Sequence, residues 1–181
     1  ISHDAFQRPI LTWRLDGLLR NLSGEVYQQI NTYLSGENSG LKRFQLARRL
    51  ANIFDQYQVM RPDMLEKWDR GVTATGHSAE TWQMDLWRRL LAQPGGGIHR
   101  GRQFSQVIDK LRNERELVEL LPKRISVVGL HTLPPIFLNF LNTLSNHMDI
   151  HLFVLSPCSN YWGNVQSRRT MFTRQNQKTF A

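Results

Sequence analysis

The stretch FQLARRLANIFDQY, from Phe44 to Tyr57, is the most strongly periodic part of the chain and decides its fold class. Its apolar residues recur at steps of three and four, the period of one face of an α-helix. They are Phe44, Ala47, Leu50, Ala51, Phe54 and Tyr57. We therefore predict an amphipathic helix, which ends at or before Arg61 because Pro62 disfavours the α conformation of its predecessor.

The same helical period recurs on both sides of this stretch. Upstream, Leu11 to Leu19 and Val26 to Leu34 predict a helical hairpin that ends in the breaker-rich segment 35–40. Downstream, further helices are predicted around residues 65–68, 82–91 and 104–111, with 117–121 as a continuation or a short neighbour. The run Gly95-Gly96-Gly97 between two of them is a candidate hinge.

The pattern changes after Pro122. Residues 125–130 and 151–155 are apolar, β-branched runs of strand length, and Pro134-Pro135 opens a helix between them. Two strands and one crossover helix do not complete a parallel sheet, which is normally buried on both faces. We predict a mainly α fold with a small α/β part: a helical subdomain over 1–121, then an α/β segment over 122–181 whose missing strands precede Ile1 or follow Ala181.

Composition and charge limit the function classes. The 181-residue chain has one cysteine, Cys158, and no apolar run of about 18 residues, so we expect a reduced, cytoplasmic protein with no membrane partner. It starts at Ile1, and we interpret it as a piece of a larger protein. A net charge of +8 favours a polyanionic partner, although a merely solubilising surface has the same charge.

We find no residues that predict catalysis. A phosphate-binding loop with its lysine is absent, and Gly95-Gly96-Gly97 lies between helices. His147 and His151 are four residues apart, but a loop and a strand start separate them, and the carboxylates are too dispersed for a two-metal nuclease. We expect no cofactor, no metal, no small-molecule substrate and no enzyme activity from this chain alone.

Basic and polar residues beside aromatics are the remaining candidates for function. Such residues bind single strands, because arginine contacts phosphates or stacks on bases while Asp and Gln bond base edges. They occur at residues 54–61, at 82–89 and at 99–102. Two alternatives stay open: Tyr57, Trp82 and Trp87 are also typical core residues, and Asp55 with Arg61 could be a plain ion pair.

Several motifs together resemble the RecC family, the gamma subunits of exodeoxyribonuclease V. The motifs occur in the same order as in that family. They are Leu46 to Tyr57, Arg61-Pro62-Asp63, Trp82-Gln83, Leu86-Trp87, His99-Arg100, Leu121-Pro122, Arg124-Ile125, Gly129, Leu133-Pro134-Pro135, Pro157-Cys158 and Tyr161-Trp162-Gly163. The resemblance covers nearly the whole chain. It implies an internal fragment of an inactive helicase-like domain, with residues 1–121 as its helical insertion.

The resemblance also implies a function. Such a subunit belongs to an ATP-dependent helicase-nuclease with RecB-like and RecD-like subunits, which acts on forked and single-stranded DNA in double-strand break repair by recombination. It forms part of the 3′ strand channel and of the surface that recognises the Chi sequence. The channel residues that carry over are Asn52, Ile53, Asp55, Gln56, Arg61 and Arg100.

One of these residues departs from the family pattern. Asn52 stands where an Asp is usual, and an amide donates as well as accepts, so the preferred DNA sequence stays open. The competing interpretation is a structural helical scaffold for motor assembly, with DNA bound elsewhere. The two differ in whether Arg61 and Arg100 face one groove with Asp55.

Overall fold

A computed structural model describes residues 4–94, 97–130 and 132–155, and these ranges are mainly helical. The predicted mainly α fold with a small α/β part is confirmed. The elements are α1 (Arg8–Leu19), a 3₁₀ turn (Glu25–Tyr27), α2 (Gln28–Leu34), α3 (Ser39–Met60), α4 (Pro62–Asp69), α5 (Glu80–Ala92), α6 (Arg100–Asn113), α7 (Arg115–Glu119), β1 (Arg124–Val128), α8 (Pro135–Leu144) and β2 (Asp149–Phe153). The candidate hinge residues Gly95 and Gly96 lie outside the described ranges, as do residues 156–181 with their family motifs.

The 22-residue helix α3 is the centre of the fold. Ala47, Leu50, Ala51 and Phe54 are buried on one of its faces, as the period predicts, and pack into the main hydrophobic core. Helix α1 lies antiparallel to α3, because contacts that advance along α1 step backwards along α3. These contacts are Arg8 with Asn52, Trp13 with Phe44 and Asp16 with Arg43.

The junction between α3 and α4 lies at the predicted position. Arg61 has φ −135° and ψ 51°, outside the helical region, and Pro62 starts α4. The prediction that α3 ends at or before Arg61 is confirmed, since α3 ends at Met60. The turn brings Leu65 and Trp68 of α4 into the same core as Phe54.

A loop after α4 is held by one buried carboxylate. Glu80, at the start of α5, accepts hydrogen bonds from the Trp68 indole at 2.8 Å, from Ala74 N–H, from both donors of Thr75 and from Gly76 N–H. Burial of Glu80 raises the pKa of its carboxyl, but these donors outweigh burial and lower the pKa to about 2. No residue pattern in the sequence indicates this anchor.

Beyond Pro122 the chain forms the predicted strand-helix-strand. β1 and β2 pair in parallel, with Arg124 opposite Asp149 and Val128 opposite Phe153. Both strands begin and end earlier than predicted: β2 spans 149–153 and not 151–155. Large apolar side chains such as Val128 and Phe153 remain exposed on this two-stranded sheet, as expected of strands that lack further neighbours.

A second, smaller core lies under this sheet. Leu144 and Met148 are buried there together with Leu111 from α6, so the cluster draws on residues from both sides of Pro122. The division into segments 1–121 and 122–181 therefore stays a prediction. Within the described ranges, no helix combines the length and apolar composition needed to cross a bilayer.

Candidate nucleic-acid interface

An open groove runs between α1 and α3 and ends at the first turn of α6; we call it the α1–α3 groove. It brings together two of the six predicted site residues, Asp55 and Arg100. It is lined by Gln7, Arg8, Pro9, Thr12, Arg48, Asp55 and Arg100.

The centre of the groove is an ion pair between α3 and α6. Arg100 Nη2 lies 3.2 Å from Asp55 Oδ1, and Arg100 Nε lies 3.6 Å from Asp4 Oδ2. The Asp55 side chain is 22% exposed and that of Arg100 34%. Asp55 Oδ1 is enclosed and faces the Arg100 guanidinium, although the contact lacks hydrogen-bond geometry. The rest of the Asp55 side chain remains partly exposed to the groove.

Asn52 lies one turn before Asp55 on the same side of α3. Its Oδ1 accepts a hydrogen bond of 3.3 Å from Arg8 Nη1. Arg48 precedes Asn52 by four residues, and residues separated by three and four are neighbours on a helix surface. Arg48 and Asp55 therefore line the α3 side of the groove, and Asn52 lies between them, outside the lining but bonded to Arg8, which lines it.

Buried polar contacts position Arg100. His99 caps α6, because its Nδ1 accepts a hydrogen bond of 3.2 Å from Arg102 N–H. The backbone N–H of Arg100 donates to Gln58 Oε1 at 3.1 Å, and Gln58 is fully buried. These bonds fix the first turn of α6 against the end of α3.

The other ring nitrogen of His99 faces Asp69. His99 Nε2 lies 2.9 Å from Asp69 Oδ2, while the Trp87 indole donates to Asp69 Oδ1 at 3.0 Å. Since Nδ1 accepts, the neutral ring with its proton on Nε2 satisfies both contacts. Burial raises the pKa of the Asp69 carboxyl, but the bonds from His99 and Trp87 outweigh it and lower that pKa. His99 belongs to a family motif and to the candidate stretch 99–102, but nothing in the sequence indicates its contact with Asp69.

Three predicted site residues lie apart from the groove lining. Ile53 is half-buried and packs against the main core, and Gln56 is exposed. Arg61 is exposed and its Nε lies 3.7 Å from Asp63 Oδ1, so the alternative of an Asp55–Arg61 ion pair is wrong. Asp55 pairs instead with Arg100, because the chain turns at Pro62 and α6 packs against the end of α3.

The sequence left open whether Tyr57, Trp82 and Trp87 are core residues or stacking surfaces. Trp87 is fully buried and Tyr57 packs against the main core, so neither is a free stacking surface. Trp82 is half-buried and lines a second depression with Tyr33 and Arg49. Among the described residues, no three His, Cys, Asp or Glu side chains lie close enough to hold a metal ion.

Comparison with known proteins decides the family. The sequence model of the family described as "RecC, N-terminal domain" matches residues 1–180. The chain belongs to the RecC family. The RecC resemblance drawn from the motifs is thereby confirmed.

Individual RecC relatives align over almost the whole chain. The RecBCD enzyme subunit RecC of Escherichia coli K12 is 34% identical over 99% of this chain and 17% of its own length. The Haemophilus influenzae subunit is 29% identical over 96% of the chain and 18% of its own, and that of Mycolicibacterium smegmatis 29% over 95% and 16%. The chain thus spans under a fifth of these RecC relatives.

Proposed function

We propose that this RecC segment is a non-catalytic, DNA-binding part of a RecBCD-like helicase-nuclease. Its α1–α3 groove contributes to the channel for the 3′ single strand and to the surface that recognises Chi. The single observation that carries the proposal is the Asp55–Arg100 contact in an open groove: two residues 45 positions apart, both expected to bind DNA, meet there.

The chemistry of the groove suits a nucleic-acid strand. Arg8, Arg48 and Arg100 offer cations to phosphates, while Asn52 and Asp55 offer groups that bond base edges. The Asp55 side chain is 22% exposed, so a donor on a base can approach the carboxylate from its open side. The phosphate contacts hold the strand in the groove. The Asp55 carboxylate and the Asn52 amide select the base sequence.

The RecC family indicates the kind of complex in which this groove would act. The named relatives are subunits of RecBCD enzymes. We propose RecB-like and RecD-like partners, forked and single-stranded DNA as the substrate of the complex, and a cytoplasmic role in double-strand break repair by recombination. In this proposal, ATP hydrolysis and DNA cleavage belong to the partner subunits.

A structural scaffold is the second candidate, and one observation favours it. Arg100 contacts both Asp4 and Asp55, so the pair also joins α6, α3 and the segment before α1. A purely structural role would use the same contacts. Arg61, which was expected to share the groove, does not line it.

The test separates recognition from stability in the full-length subunit assembled into its complex. Asp55→Ala should impair the response to the recognised sequence and leave unwinding nearly intact, because the motors lie in other subunits. One lost base-edge contact costs about 1 to 3 kcal/mol of discrimination, so pausing should fall about fivefold or more. Asp63→Ala is the matched control, since this carboxylate pairs with Arg61 outside the groove.

The same experiment can contradict the channel proposal. If Asp55→Ala lowers unwinding, recognition and thermal stability together, Asp55 is a structural ion-pair partner. Arg100→Gln adds a second criterion: loss of a phosphate contact weakens all sequences alike and lowers the salt dependence of binding, whereas loss of a base contact changes only the preferred sequence.

A further inference from the structure

The α1–α3 groove continues beyond its ion pair to an exposed aromatic residue. Trp13 on α1 is 67% exposed, an unusual state for the largest apolar side chain. Its ring lies 5.3 Å from that of Phe44 on α3, at an interplanar angle of 49°. Phe44 contacts the indole at a tilt, and about two thirds of Trp13 stays exposed to solvent.

Helix geometry places this aromatic pair next to the groove. Trp13 follows Pro9 by four residues on α1, and Arg48 follows Phe44 by four on α3. Pro9 and Arg48 both line the groove. Since residues four apart are neighbours on a helix surface, Trp13 and Phe44 extend the groove by one turn of each helix.

Two arginines lie between the aromatic pair and the ion pair. Arg8 bonds the neutral amide oxygen of Asn52, and Arg48 lies exposed on α3. Within residues 4–94, 97–130 and 132–155, neither guanidinium has a carboxylate within ion-pair distance. Both are therefore available to phosphates, and the net charge of +8 favours an anionic partner over an apolar protein surface. The exposed aromatic ring of Trp13 beside these cations suits a nucleic acid, which offers bases as well as phosphates.

We infer that Trp13, supported by Phe44, is a stacking platform for an unpaired base of a single-stranded nucleic acid whose phosphates contact Arg8 and Arg48. The inference rests on the proposed function and adds a contact outside the predicted site residues. From Phe44 to Asp55 the stretch of α3 is roughly 16 Å long at 1.5 Å per residue. Duplex DNA has about 3.4 Å per nucleotide along one strand, so that length accommodates at most about five nucleotides of a more extended single strand.

A stacking platform recognises the shape of a base more than its identity, because every base has a π-face. Trp13 would therefore hold the strand in the groove without choosing its sequence. Selection of the base sequence would remain with Asn52 and Asp55, farther along α3. Single strands are favoured over duplex, since paired bases already stack on one another.

The experiment uses the full-length subunit in its assembled complex and forked DNA with a 3′ oligo-dT tail. 5-Iododeoxyuridine is placed at successive tail positions, and photo-crosslinks are mapped by mass spectrometry. We expect a crosslink to Trp13 from one or two adjacent positions. Trp13→Ala should remove it and weaken tail binding about fivefold or more, whereas Trp13→Tyr should retain most of the affinity.

Two matched variants sharpen the result. Tyr33→Ala removes another half-exposed aromatic, on α2 and away from the groove, and should leave tail binding unchanged. Arg48→Gln should lower the slope of log affinity against log salt by about 0.7, the value for one single-strand phosphate contact. Trp13→Ala should leave that slope as it is, because stacking releases no counterion.

Three outcomes with the variants would overturn the inference. The first is Trp13→Ala binding the tail like the parent, and the second is Tyr33→Ala weakening tail binding equally. The third is Trp13→Ala impairing subunit assembly, which would make Trp13 a protein contact. Crosslinks at Asp55 or Arg100 without any at Trp13 would reject the platform and leave the proposed function standing. Crosslinks nowhere along the α1–α3 groove would reject both.

Discussion

Replacing Glu80 by Gln should destabilise the protein, because it removes one of two buried oxygens that accept hydrogen bonds. The carboxylate accepts hydrogen bonds from Trp68 and Ala74 on Oε1, and from Thr75 and Gly76 on Oε2. An amide of the same shape keeps one oxygen only. Its NH₂ group would face donors, so the indole of Trp68 and the N–H of Ala74 would both lose their acceptor.

The loss in free energy of unfolding follows in two ways from the same hydrogen bonds. Two buried donors left unpaired cost about 1 to 3 kcal/mol each. The pKa of Glu80 falls from 4.5 to about 2 on folding, which corresponds to about 3 kcal/mol at 1.36 kcal/mol per unit. We therefore expect a loss of about 3 kcal/mol at pH 7.

The sign of the pH dependence follows from the lowered pKa. A carboxyl with a lowered folded pKa contributes its stability above the unfolded value of 4.5, and this contribution disappears as pH falls towards 2. The difference between wild type and Glu80→Gln should therefore be constant from pH 7 to about 5 and shrink below that. Other carboxylates titrate in both proteins and cancel in the difference.

Urea unfolding of the chain, followed by tryptophan fluorescence at pH 7, 5, 4 and 3, measures this difference. Trp68 donates directly to Glu80 and reports on the site. Glu66→Gln is the control, because Glu66 is 67% exposed and forms only a surface pair with Arg70. A difference below about 1 kcal/mol at pH 7, or one that stays constant down to pH 3, would refute the reasoning.

Two further predictions concern packing. Leu50→Ala, in the buried face of α3, should cost about 2 to 5 kcal/mol because it leaves a cavity, while Leu41→Ala on the exposed part of the same helix should cost little; urea midpoints compare them. Gly101→Ala places a Cβ 3.2 Å from two atoms of the His99 ring, so it should lower the thermal midpoint by displacing the α6 cap. Gly17→Ala meets nothing within 4 Å and should raise the midpoint through its helix propensity; equal shifts in both would contradict this account.

Local sequence patterns predict most of the secondary structure and the family resemblance. Apolar residues at steps of three and four specify α3 and its buried face, and Pro62 specifies where α3 ends. These are local effects, because side-chain period and backbone restriction act within a few residues. The change of pattern after Pro122 likewise predicted the parallel strand-helix-strand, with errors of one or two residues at the strand ends.

Which polar groups meet depends on how the helices pack. Arg61 was a reasonable partner for Asp55 by proximity in the sequence, yet Asp55 contacts Arg100. The buried Glu80 anchor and the Asp69–His99 contact also went unpredicted, because each joins residues across a chain reversal. Hydrogen bonds and ion pairs depend on distances of a few ångströms between segments of the chain. Those distances are set by how the helices pack, and the spacing of apolar residues along one helix does not specify them.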